Sequence, residues 1–186
     1  MKAQVQKYFE LLKNTIDKID LDEIETFIRL LHNARDNGKK IFIMGNGGSA
    51  ATSSHYCCDF NKGMSYQKPS KPYRFISLND NIPTLMAYAN DVGYDSIFVE
   101  QLKNMLEPED LVIGISGSGN SENVLKAIEY ANQQGGITVG LTGFNGGRLK
   151  QMAQHSVNAN INNMQISEDI HMLLAHMTYF ISMKSE

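Results

Sequence analysis

Cysteine is nearly absent from this 186-residue sequence, which contains only two, Cys57 and Cys58, side by side. Adjacent cysteines are poorly placed to bridge distant parts of a fold, so a disulfide scaffold is excluded. Neither cysteine belongs to a Cys-x-x-Cys pair, and a sulfur-rich zinc site is therefore not predicted. We expect both to be buried as small apolar residues.

Long hydrophobic runs and an excess of basic charge are also missing. The longest apolar runs, such as 41–44 and 111–113, are far shorter than the roughly 20 residues that span a bilayer, so no membrane helix is predicted. The N-terminus is polar and lacks the apolar stretch of a signal peptide, which predicts a cytoplasmic protein. The 17 Lys and Arg residues are scattered among 20 Asp and Glu, which does not favour nucleic acid as a partner.

What is present fits one globular domain with a helical segment over about residues 1–38. The composition, 42% hydrophobic and 20% charged, supplies a sizeable core. Apolar residues at helical spacing predict a helix over 5–19. A second helix is predicted between Asp20, which with Glu23 forms a capping-box pattern, and Gly38, which suits a left-handed C-terminal cap.

From residue 39 onward, short apolar runs alternate with helical segments. The predicted strands contain KKIFIM, YRFISL, LVIGIS, GITVGL and HSVNANI, the predicted helices cover about 49–61, 83–89, 95–106, 121–136, 148–152 and 165–184, and a loop is predicted over 67–72. Strands that are apolar on both faces call for a parallel sheet covered by helices on each side, which is a doubly wound α/β fold. Ligands of such folds bind beyond the carboxyl ends of the strands, so loops 45–50 and 116–121 are the predicted ligand site.

The first of these loops fits a loose dinucleotide pattern, because Gly45, Gly47 and Ala50 match G-x-G-x-x-[GA] between a strand and a helix. A dinucleotide site also needs an acidic residue about 20 positions further on. Asp80, near the end of the next strand, lies 35 positions beyond Gly45. The spacing does not favour a dinucleotide cofactor.

The second loop is predicted to hold a phosphate group. Ser116, Ser118 and Ser121 lie among glycines where a strand meets a helix. Small hydroxyls and free backbone N–H groups at the positive end of a helix dipole form a neutral cradle for a phosphate dianion. The Walker pattern is absent from the sequence, which argues against triphosphate chemistry. A Ser- and Gly-rich helix cap without any ligand remains the alternative.

Two pairs of histidine and carboxylate form a second candidate group. His55 and Asp59 are four residues apart on one helix and share a face. Glu168 and His171 are three apart on the last helix, and His176 follows eight residues after Glu168, about 80° around the axis. Such a set can bind a divalent metal or divide general acid and base work. The alternative is that each helix carries only a solvated pair.

Four segments together resemble a known family. They are GNGGSAATSSH (45–55), GISGSGNSENVLKAI (114–128), GLTGFNGG (140–147) and EDIHMLLAH (168–176). Over nearly its whole length the chain is similar to the SIS (sugar isomerase) domain proteins of the phosphoheptose isomerase family. The resemblance implies a five-stranded, flavodoxin-like three-layer sandwich in a cytoplasmic homotetramer with active sites between subunits. It also implies conversion of sedoheptulose 7-phosphate to glycero-manno-heptose 7-phosphate through an enediol, in heptose synthesis for surface polysaccharides.

The same resemblance assigns roles to individual residues. The implied substrate and phosphate contacts are Asn46, Gly47, Ser49, Ser116, Ser118 and Ser121. His55 matches a zinc ligand, and His176 matches the histidine that serves as zinc ligand and acid–base partner. The chain departs from the family at Asp59, where a glutamate is usual, and at Glu168, where a glutamine is usual. The family's phosphate-binding arginine is missing, with Lys62 one position away as a substitute.

The mechanism expected from this assignment has Asp59 or Glu168 removing the proton next to the carbonyl while His176 moves a proton between the two oxygens. One zinc ion, held by His55, Asp59, Glu168 and His176, would stabilise the enediolate. Two alternatives stay open. In the first, the chain serves without catalysis, as a sugar-phosphate sensor or a regulator that binds the initiator DnaA. In the second, it isomerises a different ketose phosphate.

Overall fold

A computed structural model describes residues 1–66 and 71–184, so the first four residues of the predicted loop 67–72 lie outside the described part. The helices are α1 (Lys2–Ile16), α2 (Leu21–Asp36), α3 (Gly48–Cys57), α4 (Ile82–Asp91), α5 (Val99–Met105), α6 (Glu122–Gln133), α7 (Gly147–Met152) and α8 (Met164–Lys184). The strands are β1 (Ile41–Gly45), β2 (Phe75–Ser77), β3 (Leu111–Ser116), β4 (Ile137–Thr142) and β5 (His155–Asn158). A π-helical segment, Cys58–Met64, continues α3, and a short 3₁₀ turn, Tyr94–Ser96, precedes α5.

The five strands form one parallel sheet in the order β2-β1-β3-β4-β5. This is the flavodoxin-like order, in which the chain first moves to one side of β1 and then crosses to the other. The switch point therefore lies between the carboxyl ends of β1 and β3. The predicted five-stranded, doubly wound α/β fold is confirmed.

β1 and β3 are buried along their whole length, because helices cover both faces of the sheet. Ile41 and Ile43 point into a core shared with α2, α3 and α8. Phe42 and Met44 point to the opposite face, into a core shared with α5, α6 and α7. The alternation of side chains along one strand thus builds the three layers.

The N-terminal helices follow the sequence pattern with two differences. α1 ends at Ile16 and not at residue 19. Asp20 caps α2 as expected, since its Oδ1 accepts two backbone N–H groups of the first turn. The Glu23 carboxylate does not complete the capping box but accepts the backbone N–H of Asn158 at 3.0 Å, which fastens α2 to β5. Gly38 has the expected left-handed conformation, with φ of 65°.

The helix predicted over 49–61 changes type at Cys58, and the one predicted over 95–106 is interrupted after Ser96. Both cysteines are free, as expected. Burial of both is a wrong prediction, because Cys58 is exposed at the start of the π-helical segment. Within the described residues, no helix combines the length and apolar character needed to cross a membrane.

Candidate active site

The turn from β1 into α3 is tight and depends on glycine. A Cβ atom on Gly45 would lie 2.6 Å from the Ser49 Cβ, and Gly47 has a φ of 54°. The Ser49 N–H donates to the Asn46 carbonyl at 3.0 Å. The turn thereby holds the half-buried Asn46 and the buried Ser49 at the switch point, beside the loop that follows β3.

That second loop, residues 116–121, is called the serine loop here. The hydroxyls of Ser116 and Ser121 are 3.0 Å apart, and Ser118 Oγ accepts the N–H of Asn120 at 3.3 Å. Ser121 occupies the N-cap of α6, but its side chain makes no capping hydrogen bond. The first N–H groups of a helix have no intrahelical partner and carry the positive end of its dipole, so the start of α6 is suited to an anion.

The two loops enclose a common cavity of about 160 Å³. Its lining residues are Asn46, Ser49, Ile115, Ser116, Gly117, Ser118, Ser121, Met164 and Glu168. Five of the predicted substrate contacts therefore share one space with Glu168, which α8 supplies. The Glu168 carboxylate also faces Gly48, where a Cβ would lie 2.9 Å from its Oε2.

A second group of side chains lies near the end of α3 and consists of His55, Asp59 and His176. It is called the His–Asp–His cluster. The Nε2 atoms of His55 and His176 are 2.9 Å apart, and His55 Nε2 lies 3.2 Å from Asp59 Oδ2. The three ligand atoms all lie within 4.8 Å of one another. Glu168 is not part of this group, so among the described residues the four predicted metal ligands do not all lie within 4.8 Å of one another.

The separation follows from how α3 and α8 pack side by side. Gly48 lies beside Glu168, whereas His55, two turns later, lies beside His176. At 1.5 Å per residue, Ser49 and His55 are about 9 Å apart along the helix axis. The site therefore has two ends on one helix, an anion cavity at the start of α3 and the His–Asp–His cluster near its end.

The remaining two predicted residues, Gly47 and Lys62, do not line the anion cavity. Gly47 lines a neighbouring apolar cavity of about 310 Å³, which shares Asn46 with the first one. Lys62 is exposed on the π-helical segment, where its ammonium group lies 5.9 Å from the centre of the Tyr66 ring. Lys62 does not line the anion cavity described above.

Sequence reasoning missed three residues that support the site. Asn79 receives the Gly45 N–H at 3.2 Å and donates to the Gly45 carbonyl at 2.8 Å. Asn123 and Tyr94 both hydrogen-bond the Asn46 side chain. Only Asn123 could have been found from the sequence, because it lies two positions after Ser121 in segment 114–128. Asn79 and Tyr94 lie in segments without a motif.

Two ionisable groups close to the site have pKa values that are shifted by desolvation. Burial, with a smaller contribution from Asp80, raises the pKa of the Cys57 thiol to about 12, so this cysteine is not a ready nucleophile. His171 is buried on α8, and its burial lowers its pKa to about 4, with the Thr142 backbone opposing the shift. His171 is thus neutral near pH 7 and lies apart from the His–Asp–His cluster.

Known proteins share this sequence and architecture. Residues 6–143 match the family model of the SIS domain. A "Probable phosphoheptose isomerase" of Thermoplasma acidophilum is 33% identical over 172 residues, 92% of this chain and 93% of the relative. A "Phosphoheptose isomerase" of Helicobacter pylori is 34% identical over 176 residues, 92% of this chain and 90% of the relative. The solved structure of phosphoheptose isomerase GmhA from Neisseria gonorrhoeae superposes with a TM-score of 0.88 at 27% identity, covering 97% of each chain.

Proposed function

We propose that this chain is an aldose–ketose isomerase acting on sedoheptulose 7-phosphate. The reason is that the chain belongs to the SIS domain family and, within it, to the phosphoheptose isomerases. The product is glycero-manno-heptose 7-phosphate, a precursor for heptose biosynthesis. The non-catalytic alternative is not favoured. A phosphorylated sugar is accordingly the partner of the site.

One observation carries this proposal: the anion cavity and the His–Asp–His cluster lie at two ends of α3. A sugar phosphate with its phosphate at one terminus and its carbonyl near the other needs an anion site and an acid–base site held apart. The separation of about 9 Å along α3 matches a substrate that lies along the helix.

At the first end, the serine loop would hold the phosphate group. Hydroxyls of Ser116, Ser118 and Ser121 can donate to phosphate oxygens, and the start of α6 adds N–H groups and the positive end of its dipole. Asn46 and Ser49 line the same cavity and would contact the phosphate or the adjacent hydroxyl groups. Lys62 stays a weaker candidate for this role, because it does not line the cavity.

At the second end, the donor chemistry fits a zinc ion. In a tetrahedral site with Zn–N distances of about 2.0–2.1 Å, neighbouring ligand atoms lie about 3.3 Å apart. The distances of 2.9 and 3.2 Å among His55, Asp59 and His176 are close to that value. Three protein ligands with one open position are typical of catalytic zinc. When bound, such an ion supplies Lewis-acid stabilisation of negative charge on a substrate oxygen.

The proton transfers can be assigned to residues at this end. In the ketose, a carboxylate takes a proton from C1 while the C2 oxygen gains one, which gives the enediol. Return of the carbon-bound proton to C2 and loss of the proton from the C1 oxygen then give the aldose. His176 suits the oxygen-to-oxygen transfer. Asp59 is the favoured base over Glu168, because it lies beside both histidines and not at the anion cavity.

The test is an isomerase assay with purified protein, sedoheptulose 7-phosphate and added zinc, followed by NMR of the sugar. The wild-type protein should form the aldose, and His176→Ala should lower turnover at least a hundredfold. His155→Ala is the matched control, since His155 lies on β5, outside both the cavity and the cluster. A panel of shorter ketose phosphates distinguishes a heptose isomerase from one for another sugar.

Absence of turnover on every ketose phosphate would defeat the proposal. Equal activity of His176→Ala and wild type would remove the cluster from the mechanism. Zinc content is measured separately by elemental analysis. We expect about one ion per chain in the wild type and a clear loss in His176→Ala, while His155→Ala keeps its metal.

We further propose that the chain assembles into a homotetramer in the cytoplasm. Phe9 on α1 is 63% exposed and Val5 is 48% exposed, although both belong to the apolar face of this helix. Exposed apolar faces are typical of interfaces between subunits. Light scattering should give four chains per particle, and Phe9→Asp should lower that number.

A further inference from the structure

The Asn46 carboxamide, in the wall of the anion cavity, is held by three hydrogen bonds. Its Oδ1 accepts from the Tyr94 hydroxyl and from Asn123 Nδ2, both at 2.8 Å. Its Nδ2 donates to Asn123 Oδ1 at 2.9 Å. An amide nitrogen carries two hydrogens, so one N–H of Asn46 remains for a ligand in the cavity.

The orientation of this amide pair is fixed by the backbone. Asn123 Oδ1 also accepts the backbone N–H of Val124 at 2.9 Å, which requires an oxygen at that position. Asn123 Nδ2 must then be the donor to Asn46, and Asn46 must present its oxygen to Asn123 and Tyr94. A flipped Asn46 would place N–H groups against the donor of Asn123. Because Asn123 is buried, its two hydrogen bonds with Asn46 are partly shielded from water, whereas the Tyr94 hydroxyl reaches Asn46 from the exposed side.

Tyr94 is 62% exposed, and what holds it is the turn to which its backbone belongs. It opens the 3₁₀ turn Tyr94–Ser96, in which the Ser96 N–H donates to the Gly93 carbonyl at 3.0 Å. The next residue, Asp95, forms an ion pair with Lys126 of α6. The same helix carries Asn123, so α6 holds one partner of Asn46 and is paired with the turn that carries the other. Tyr94 also lines the neighbouring apolar cavity, which shares Asn46 with the anion cavity.

We infer that Tyr94 and Asn123 are positioning residues for the isomerase, holding Asn46 so that its free N–H donates to an oxygen of the bound sugar phosphate. This inference rests on the proposed function. Asn46 lies at the anion end, away from the His–Asp–His cluster, so its contact is with an oxygen whose charge does not change during the reaction. Such a contact serves ground state and transition state equally and acts on KM and not on kcat.

Tyr94→Phe removes only the hydroxyl group. We expect KM for sedoheptulose 7-phosphate to rise about three- to tenfold, the value of one neutral hydrogen bond, with kcat within twofold of the wild type. Tyr88→Phe is the matched control, because its hydroxyl accepts a hydrogen bond from Asn104 at 3.2 Å away from both loops. This control should leave KM unchanged. Denaturant unfolding of each variant shows whether the fold is kept.

A double-mutant cycle separates positioning from a general structural role. In an Asn46→Ala background, Tyr94→Phe should raise KM less than twofold, because the group through which it acts is gone. A threefold or larger rise in that background would overturn the inference, as would a change confined to kcat or no change in the single variant.

A readout without turnover keeps this result distinct from a failure of the proposed function. The side-chain amide resonances of Asn46, identified by their loss in Asn46→Ala, should shift in Tyr94→Phe and not in Tyr88→Phe. If these resonances stay fixed in Tyr94→Phe, the inference is wrong even in an active isomerase. If they shift but wild-type protein turns over no ketose phosphate, the positioning stands and the isomerase assignment fails.

Discussion

The two ends of α3 are built in different ways. The anion cavity is made of loops between buried strands and helices, with the Ser116 and Ser49 side chains largely shielded. The His–Asp–His cluster is made of side chains from α3, the π-helical segment and α8, with the His55 side chain 38% exposed and that of Asp59 25% exposed. The anion end is therefore set by the backbone, whereas the acid–base end depends on side-chain placement and on what binds there.

The largest effect is expected at the acid–base end. Asp59→Asn keeps the shape of the side chain but removes its basicity and weakens metal binding, so kcat should fall about a thousandfold. KM should change little, because the anion cavity is untouched. The measurement is steady-state kinetics with zinc present, and elemental analysis shows whether the metal is lost. A fall in kcat of less than tenfold would contradict the role of Asp59.

At the anion end, the largest effect should come from the backbone. Gly119 has a φ of 68°, and a Cβ there would lie 2.0 Å from the Gly146 carbonyl oxygen. Gly119→Ala should lower the free energy of unfolding by about 3 kcal/mol, since both the conformation and the space are wrong. Gly135→Ala is the matched control, because Gly135 has a similar φ of 79° and only an ordinary contact at 3.7 Å.

Gly135→Ala should lower the free energy of unfolding by about 1 kcal/mol, because only the left-handed backbone conformation disfavours a side chain there. Both values come from denaturant unfolding at one pH. Equal losses in the two variants would show that the packing of the serine loop against residues 146–147 does not hold the anion end in place.

Between the two ends, the buried His171 of α8 makes the free energy of unfolding depend on pH. Its pKa is about 4 in the folded chain and about 6.5 in the unfolded chain, so only the unfolded chain gains a proton between these values. Its contribution to stability is complete above about pH 6.5 and is lost progressively as the pH falls toward 4. From pH 7.5 to 5 the loss attributable to this group should be about 2 kcal/mol.

The measurement is the free energy of unfolding of wild type and His171→Leu at both pH values. The variant should lose about 2 kcal/mol less than the wild type over this interval. His155→Leu controls for the loss of a histidine as such. If His171→Leu and wild type lose the same amount, burial of the imidazole does not govern the pH dependence.

The same contrast explains what the sequence could predict. The alternation of apolar runs with helices, and the serines and glycines at strand ends, are local patterns, and they predicted the sheet and the serine loop. Three placements were not local. Glu23 bonds Asn158 across the molecule, Glu168 lies at the anion end, and Tyr94 reaches Asn46 from a turn without a motif. The switch to a π-helix at Cys58 also has no simple periodic signal.

The smallest expected effect separates the two carboxylates. Glu168 lines the anion cavity, so its negative charge opposes a phosphate dianion held by the serine loop. Glu168→Gln keeps the shape and removes the charge, and KM should fall about three- to tenfold with kcat within threefold of the wild type. Steady-state kinetics of Glu168→Gln, with Asp59→Asn assayed under the same conditions, measure both kcat and KM. A loss of kcat as large as that of Asp59→Asn would instead assign the base to Glu168, which would then have to turn from the cavity toward the His–Asp–His cluster.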